Sequence, residues 1–115
     1  MLIERLARLA SAGERVLVAE QNGRVTGLIT VHPGTHVLHR PRPVGRITML
    51  VVATIARGSG VGRRLVQEAE RIAHEAGCGW FEVTSNLVRE DAHAFYERLG
   101  FARTSYRFGK DLSTS

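Results

Sequence analysis

A nearly continuous apolar run, Ile47 to Val52 (ITMLVV), passes through residues 53–57 into Gly58-Ser59-Gly60-Val61-Gly62 and then into a long helical stripe. No other stretch restricts the fold as much. A run of this kind reads as a strand buried on both faces. Val61, Leu65, Ala69, Ile72, Ala73 and Ala76 fall on one side of a helix, and Gly77 stands where a C-terminal glycine belongs. A short strand, residues 80–84 (WFEVT), comes next. Strand, helix and strand in this order predict a β-α-β unit with parallel strands and a right-handed crossover.

The flanking segments fill in the rest. Leu2, Ile3, Leu6, Leu9 and Ala10 recur at helical spacing, so residues 2–11 are expected to form an amphipathic helix that stops at Ala12-Gly13. Residues 15–20 and 25–31 read as strands joined at Asn22-Gly23, a pair that accepts the positive φ of a two-residue hairpin turn. Residues 32–45 hold all three prolines and three of the five histidines, which predicts a loop or an irregular edge. A second helix is expected over residues 90–99, with Ala92, Phe95, Tyr96 and Leu99 spaced for burial and Gly100 closing it. Residues 101–108 alternate as a final strand would. The outcome is an α/β chain whose mixed sheet has a central parallel pair, flanking antiparallel strands and about three helices. At 115 residues the chain suits a single domain over 1–115.

The glycine loop carries the chemistry. The first turn of a helix has N–H groups without intrahelical partners, and its dipole adds about half a positive charge. Glycines let a phosphate approach the backbone closely, and Arg57, Arg63 and Arg64 stand ready for further oxygens. A plain turn before a helix would also carry glycines, but the strand–loop–helix setting favours a pyrophosphate or phosphate ligand. A P-loop would need Lys-Ser/Thr after its second glycine, and none stands here. A dinucleotide fingerprint would need its third glycine one residue later. Glu82 could imitate the acid that holds a ribose, but it reads better as an outward residue of an alternating strand.

Composition narrows the class. The formal charge is +5, and Lys110 is the only lysine beside 15 arginines. These arginines are scattered and not interleaved with aromatics, which disfavours nucleic acid and suits a small anionic ligand. No run reaches the roughly 20 apolar residues of a membrane span. The first dozen residues alternate charge with leucine and do not resemble a signal peptide. One cysteine, Cys78, precludes an internal disulfide and fits a cytoplasmic location; it is expected to be a small buried core residue.

Two motifs together are specific. RGSGVG at 57–62 before a helix, and FYERLGF at 95–101, resemble the GNAT superfamily of N-acetyltransferases, over essentially the whole chain from Leu2 to Leu112. Within it, TSNLVREDAHAFYERLGF and the ending Tyr106 to Leu112 are similar to the aminoalkylphosphonate N-acetyltransferase branch. The resemblance implies a GNAT fold and direct transfer of an acetyl group from acetyl-CoA to a primary amine of a small molecule. It implies that backbone groups of Leu50, Val51 and Val52 bond the pantetheine arm. The pyrophosphate would lie on Arg57, Gly58, Ser59, Gly60, Val61, Gly62 and Arg63, with Asn86 bonding pantetheine or organising the last helix. Tyr96 would be the general acid for the departing thiolate, and would also contact the coenzyme. By spacing alone Tyr96 reads as a core aromatic beside Phe95; the motif reverses that preference. Cys78 has no part in a direct transfer.

The sequence departs from the family pattern in two ways. A strand and a helix that usually precede the segment at 2–11 are absent, which would expose a hairpin edge for a second copy of the chain to cover. Relatives often carry a glutamate on the strand equivalent to ITMLVV, where this chain offers Thr48 and Met49. The amine proton would go to water, Glu82, His93 or a loop histidine. His32, His36 and His39 lack an accompanying carboxylate or cysteine, so loop or substrate contacts are expected of them before a metal. Arg40, Arg42 and Arg46 would favour an anionic amine as acceptor. The rival reading is a non-catalytic acyl-CoA-binding relic of the same fold.

Overall fold

A computed structural model describes residues 3–8, 13–83, 90–103 and 110–113. Its described part holds one mixed sheet of five strands in the order β1 (Ile3–Arg8), β2 (Arg15–Gln21), β3 (Arg24–Thr35), β4 (Val44–Val52) and β5 (Trp80–Val83). The first four pair antiparallel, and β4 pairs parallel with β5 from Val44–Trp80 to Ile47–Val83. A single 3₁₀ turn, Thr54–Ala56, follows β4. Helix α1 (Val61–Glu75) makes the crossover, and α2 (Glu90–Arg98) follows β5.

The expected hairpin is present. Asn22 and Gly23 both take positive φ, 52° and 77°, and close β2 onto β3 through the Gln21–Arg24 pair. Two α-helices stand among the described residues instead of about three, because the segment read as the first helix is a strand. Its helical spacing loses to pairing. Residues 3–8 zip onto 15–20 in unbroken register, from Ile3–Glu20 to Arg8–Arg15, and supply backbone partners that β2 would otherwise lack. The hairpin edge expected to be exposed is therefore covered by β1, and the sheet edge moves one strand outward. The proline segment is also more regular than expected. Strand β3 runs on to Thr35, with a register shift between His32 and Thr35 that accommodates Pro33, which has no amide hydrogen to give. Residues 101–103 belong to no regular element, and the remainder of the expected final strand, residues 104–108, lies outside the described residues.

The core lies between the sheet and α1. Leu17, Ala19, Ile29, Val31 and Ile47 from the sheet meet Val61, Leu65, Val66, Ala69 and Ile72 from the helix, and all are buried. Gly27 permits the approach: a methyl group there would come within 2.8 Å of Val61 Cγ1 and 2.9 Å of Leu65 Cδ1. Phe81, Phe95, Leu99 and Phe101 pack against the edge of this cluster.

Strand β4 is not buried on both faces. Met49 and Val51 are 52% and 54% exposed, and Arg46 and Thr48 also face solvent. The reason lies in the register. Thr30 pairs with Met49 but Val31 pairs with Ile47, so Thr48 is an extra residue, a β-bulge. Ile47 before it and Leu50 and Val52 after it all pack on the core, although Ile47 and Leu50 are an odd number of residues apart. Cys78 is half-buried at the margin of the fold, not in its core, and its Sγ donates a hydrogen bond to the Pro33 carbonyl at 2.8 Å. Burial pushes its thiol pKa up, with nearby Arg42 opposing the shift.

Candidate active site

The glycine loop sits where β4 ends and α1 begins. The Ala53 amide still bonds the Thr26 carbonyl at 2.8 Å, and the chain then turns through Ala56 N to Ala53 O (2.9 Å) and Ser59 N to Ala56 O (3.2 Å). The Ser59 hydroxyl donates to the same Ala56 carbonyl. Gly58 and Gly60 take φ of 82° and 88°, the left-handed region in which a side chain is strained. A methyl group on either would meet nothing within 4 Å, so the loop presents open backbone to solvent.

Gly60 caps α1 without a side-chain hydrogen bond, and the first turn carries no acidic residue. Its amides are thus left to an outside acceptor, in keeping with the half-charge at a helix N-terminus. Arg57, Arg63 and Arg64 are exposed around it, while Val61 and Gly62 are buried beneath. A diphosphate fits these features: open backbone, a helix head with no side-chain cap, exposed guanidinium groups and no acidic residue in the first turn.

Gly62 is the junction of three elements. A methyl group there would lie 3.3 Å from Val52 Cγ2 at the end of β4 and 3.3 Å from Phe95 Cζ on α2. Of the residues assigned by resemblance, Val52 and Gly62 are thus in one place, with Tyr96 on the residue after Phe95. Leu50 and Val52 are half-buried and Val51 is exposed. Past Ile47 the strand runs on for five residues without a β5 partner among the described residues. Asn86 lies outside the described residues.

Tyr96 is half-buried. Its ring meets Phe95 edge-on at 5.2 Å between centroids and Phe101 at 5.7 Å, so both the core-aromatic and the functional readings have a footing. Burial raises its phenol pKa above the ordinary value. The proton therefore stays on the oxygen throughout the neutral range.

The candidate acceptors of an amine proton are engaged elsewhere. Arg46 bonds Glu82 Oε2 through Nε at 3.1 Å and through its terminal nitrogen at 3.0 Å, a cross-strand pair that agrees with the outward-facing reading of Glu82. Arg103 donates to His93 Nδ1 at 3.0 Å, so that nitrogen accepts. His32 Nδ1 is 3.1 Å from the Thr35 hydroxyl, and His36 and His39 are exposed. Among the described residues no three His, Cys, Asp or Glu side chains gather to hold a metal. Arg40 lies over the Trp80 ring, 4.6 Å from its centroid, and Arg42 packs beside Gly79, so with Arg46 three arginines line the start of β5. One arrangement was not anticipated from the sequence: the Thr48 hydroxyl lies 2.5 Å from that of Thr30 across the bulge. Its only trace in the sequence is a hydroxyl inside the apolar run.

Known proteins share the sequence pattern and the fold of this chain. Residues 2–101 match the acetyltransferase (GNAT) family. Aminoalkylphosphonate N-acetyltransferase of Salmonella typhimurium is 38% identical over 106 residues, covering 92% of this chain and 68% of the relative. Glucosamine 6-phosphate N-acetyltransferase 1 of Oryza sativa is 33% identical, covering 92% and 63%. The crystal structure of a Trypanosoma brucei acetyltransferase superposes with a TM-score of 0.76 at 29% identity, over 88% of this chain and 70% of that one. The chain belongs to the GNAT acetyltransferase family, a family of acyltransferases. It spans about two thirds of the length of these two curated relatives.

Proposed function

We propose that this protein transfers an acetyl group from acetyl-CoA to the primary amine of a small molecule that also carries a phosphonate or phosphate. The observation that carries the reading is the head of α1, where Gly58 and Gly60 at positive φ leave open, donor-rich backbone ringed by arginines. Residues 57–63 hold the pyrophosphate through their amides and guanidinium groups. Backbone groups of Leu50, Val51 and Val52 align the pantetheine arm, and Asn86 assists from beyond β5. When bound, acetyl-CoA supplies an acetyl group activated as a thioester.

Tyr96 Oη gives its proton to the departing sulfur. A phenol near 10 can donate to a thiolate whose thiol sits near 8.5 only over a short, positioned contact. Its raised pKa has a consequence for rate: ionisation of Tyr96 should cause no fall in kcat across the neutral range. The acceptor class is supported by the names of two relatives, one acting on aminoalkylphosphonates and one on glucosamine 6-phosphate. Arg40 and Arg42 offer exposed guanidinium groups suited to such an oxyanion, while Arg46 is paired with Glu82.

Calorimetric titration with acetyl-CoA, coenzyme A and NAD tests the first part, and micromolar binding of the first two but not of NAD is expected. Release of free thiol with aminoalkylphosphonates, glucosamine 6-phosphate and uncharged amines tests the second. Tyr96→Phe should lower kcat by about 10²-fold or more and leave the Kd of acetyl-CoA within about threefold. Failure to bind acetyl-CoA overturns the whole reading. Binding without turnover on any amine leaves a carrier of acyl-CoA, and turnover indifferent to Tyr96→Phe removes the general acid.

A further inference from the structure

Thr30 and Thr48 face each other across the bulge, and nothing in the reading above uses them. Thr30 is only 6% exposed, one of two buried polar residues among those described, whereas Thr48 faces solvent. Their hydroxyl oxygens are 2.5 Å apart, and Thr48 Oγ1 is also 3.3 Å from the Thr30 carbonyl. The two contacts have one consistent proton arrangement. Thr48 donates to the carbonyl, and Thr30 donates to Thr48 Oγ1.

This clasp lies where β4 changes phase. The ladder with β3 skips Thr48, so Ile47 and Leu50 share the core face. A strand without the extra residue would put Met49 and Val51 inward and turn Leu50 and Val52 out. Val52 would then leave Gly62, where an added methyl group would lie 3.3 Å from Val52 Cγ2, and the head of α1 would lose its contact with the end of β4. A bulge residue left without partners weakens the local ladder. Two hydroxyl bonds hold this one in place.

We propose that Thr48, together with Thr30, is a positioning pair for the acyl-CoA site: it fixes the phase of β4 and so the alignment of Leu50–Val52 with the glycine loop. This rests on the site assignment under Proposed function. Val is close to Thr in shape and favours strands, so Thr48→Val should fold while losing both bonds. It should raise the Kd of coenzyme A, read by calorimetry, roughly tenfold. Thr48→Ser keeps the hydroxyl and should stay within about twofold of the parent. In the unliganded Thr48→Val protein, amide hydrogen exchange should speed up at residues 50–52 and 60–62 but not in β2. Thr30→Val removes the hydroxyl–hydroxyl bond but keeps the one from Thr48 to the Thr30 carbonyl, so it should weaken binding less, and the double variant should be no worse than Thr48→Val alone.

Folded Thr48→Val with parental affinity and exchange overturns the proposal. If Thr48→Val does not fold, Thr48→Ser against Thr48→Ala decides it, and equal affinities overturn it. Parental protein that fails to bind coenzyme A overturns the site assignment, and this inference with it. Parental protein that binds, with variants that bind equally well, overturns this inference alone.

Discussion

Gly27, near the start of β3, and Gly60, at the head of α1, both serve the same helix, yet a methyl group added to each would meet different surroundings. At Gly27 it would press on Val61 and Leu65 at 2.8 and 2.9 Å. At Gly60 it would touch nothing within 4 Å, but the backbone there has φ of 88°. The first glycine is required for lack of space, the second for backbone conformation. Gly45 belongs with the first, since its methyl group would lie 2.7 Å from Ala73 Cβ and 3.1 Å from Phe81. Gly58 belongs with the second, at φ of 82° with open surroundings. The face of α1 that lies on the sheet is therefore closed and dry along its length, and the loop at its head is open and rich in donors. Packing density holds the fold at the closed face, while the open end leaves its hydrogen bonds unmade for a ligand to complete.

The largest effect should come from the closed face. Leu65 is fully buried under Gly27, so Leu65→Ala removes buried methyl groups and leaves a cavity, at about 2–5 kcal/mol. Denaturant unfolding of the apo protein measures this, and a loss below about 1 kcal/mol would mean that the helix–sheet contact is loose. Next come Gly27→Ala and Gly45→Ala, which overpack the same contact and should each cost about 1–3 kcal/mol. The neighbour at Gly45 is the Cβ of Ala73, which moves only with its helix, so Gly45→Ala should be the harder to relieve. Gly45→Ala protein that remains folded should bind coenzyme A with nearly parental affinity, because Gly45 lies at the other end of β4 from the glycine loop.

The closed face and the open end were not equally legible in the sequence. The open end could be read directly, because glycines between an apolar run and a helical stripe already describe a strand, an exposed loop and an uncapped helix. The hairpin was equally plain at Asn22-Gly23, where the turn dictates the register. What escaped was set by partners distant in sequence. Residues 3–8 carry a helical pattern but form a strand, because β2 offers six consecutive backbone partners. The run ITMLVV reads as doubly buried, but the bulge at Thr48 sends Met49 and Val51 to solvent. Gly27 appeared only as one residue of a strand, since its role depends on a helix more than thirty residues away in the chain. The Tyr96 assignment came from the FYERLGF motif; its ring contacts with Phe95 and Phe101 alone would suit a core residue.

The smallest stability effect, and the most selective functional one, is expected at the open end. Gly60→Ala places a Cβ on a left-handed backbone at the cap of α1, which should cost about 1 kcal/mol in unfolding experiments. No atom crowds the new methyl group, so the core is untouched and the loss should not exceed that of Gly27→Ala. Coenzyme A should nonetheless bind about tenfold more weakly, equivalent to about 1.4 kcal/mol, because strain relief turns the loop amides away from the pyrophosphate. The ordering by stability and the ordering by affinity therefore run in opposite directions for Gly45→Ala and Gly60→Ala. A Gly60→Ala protein with parental affinity would detach ligand binding from the shape of the loop. The arginines at 57, 63 and 64 would then be the remaining source of affinity, which would show as a steep fall in binding with added salt.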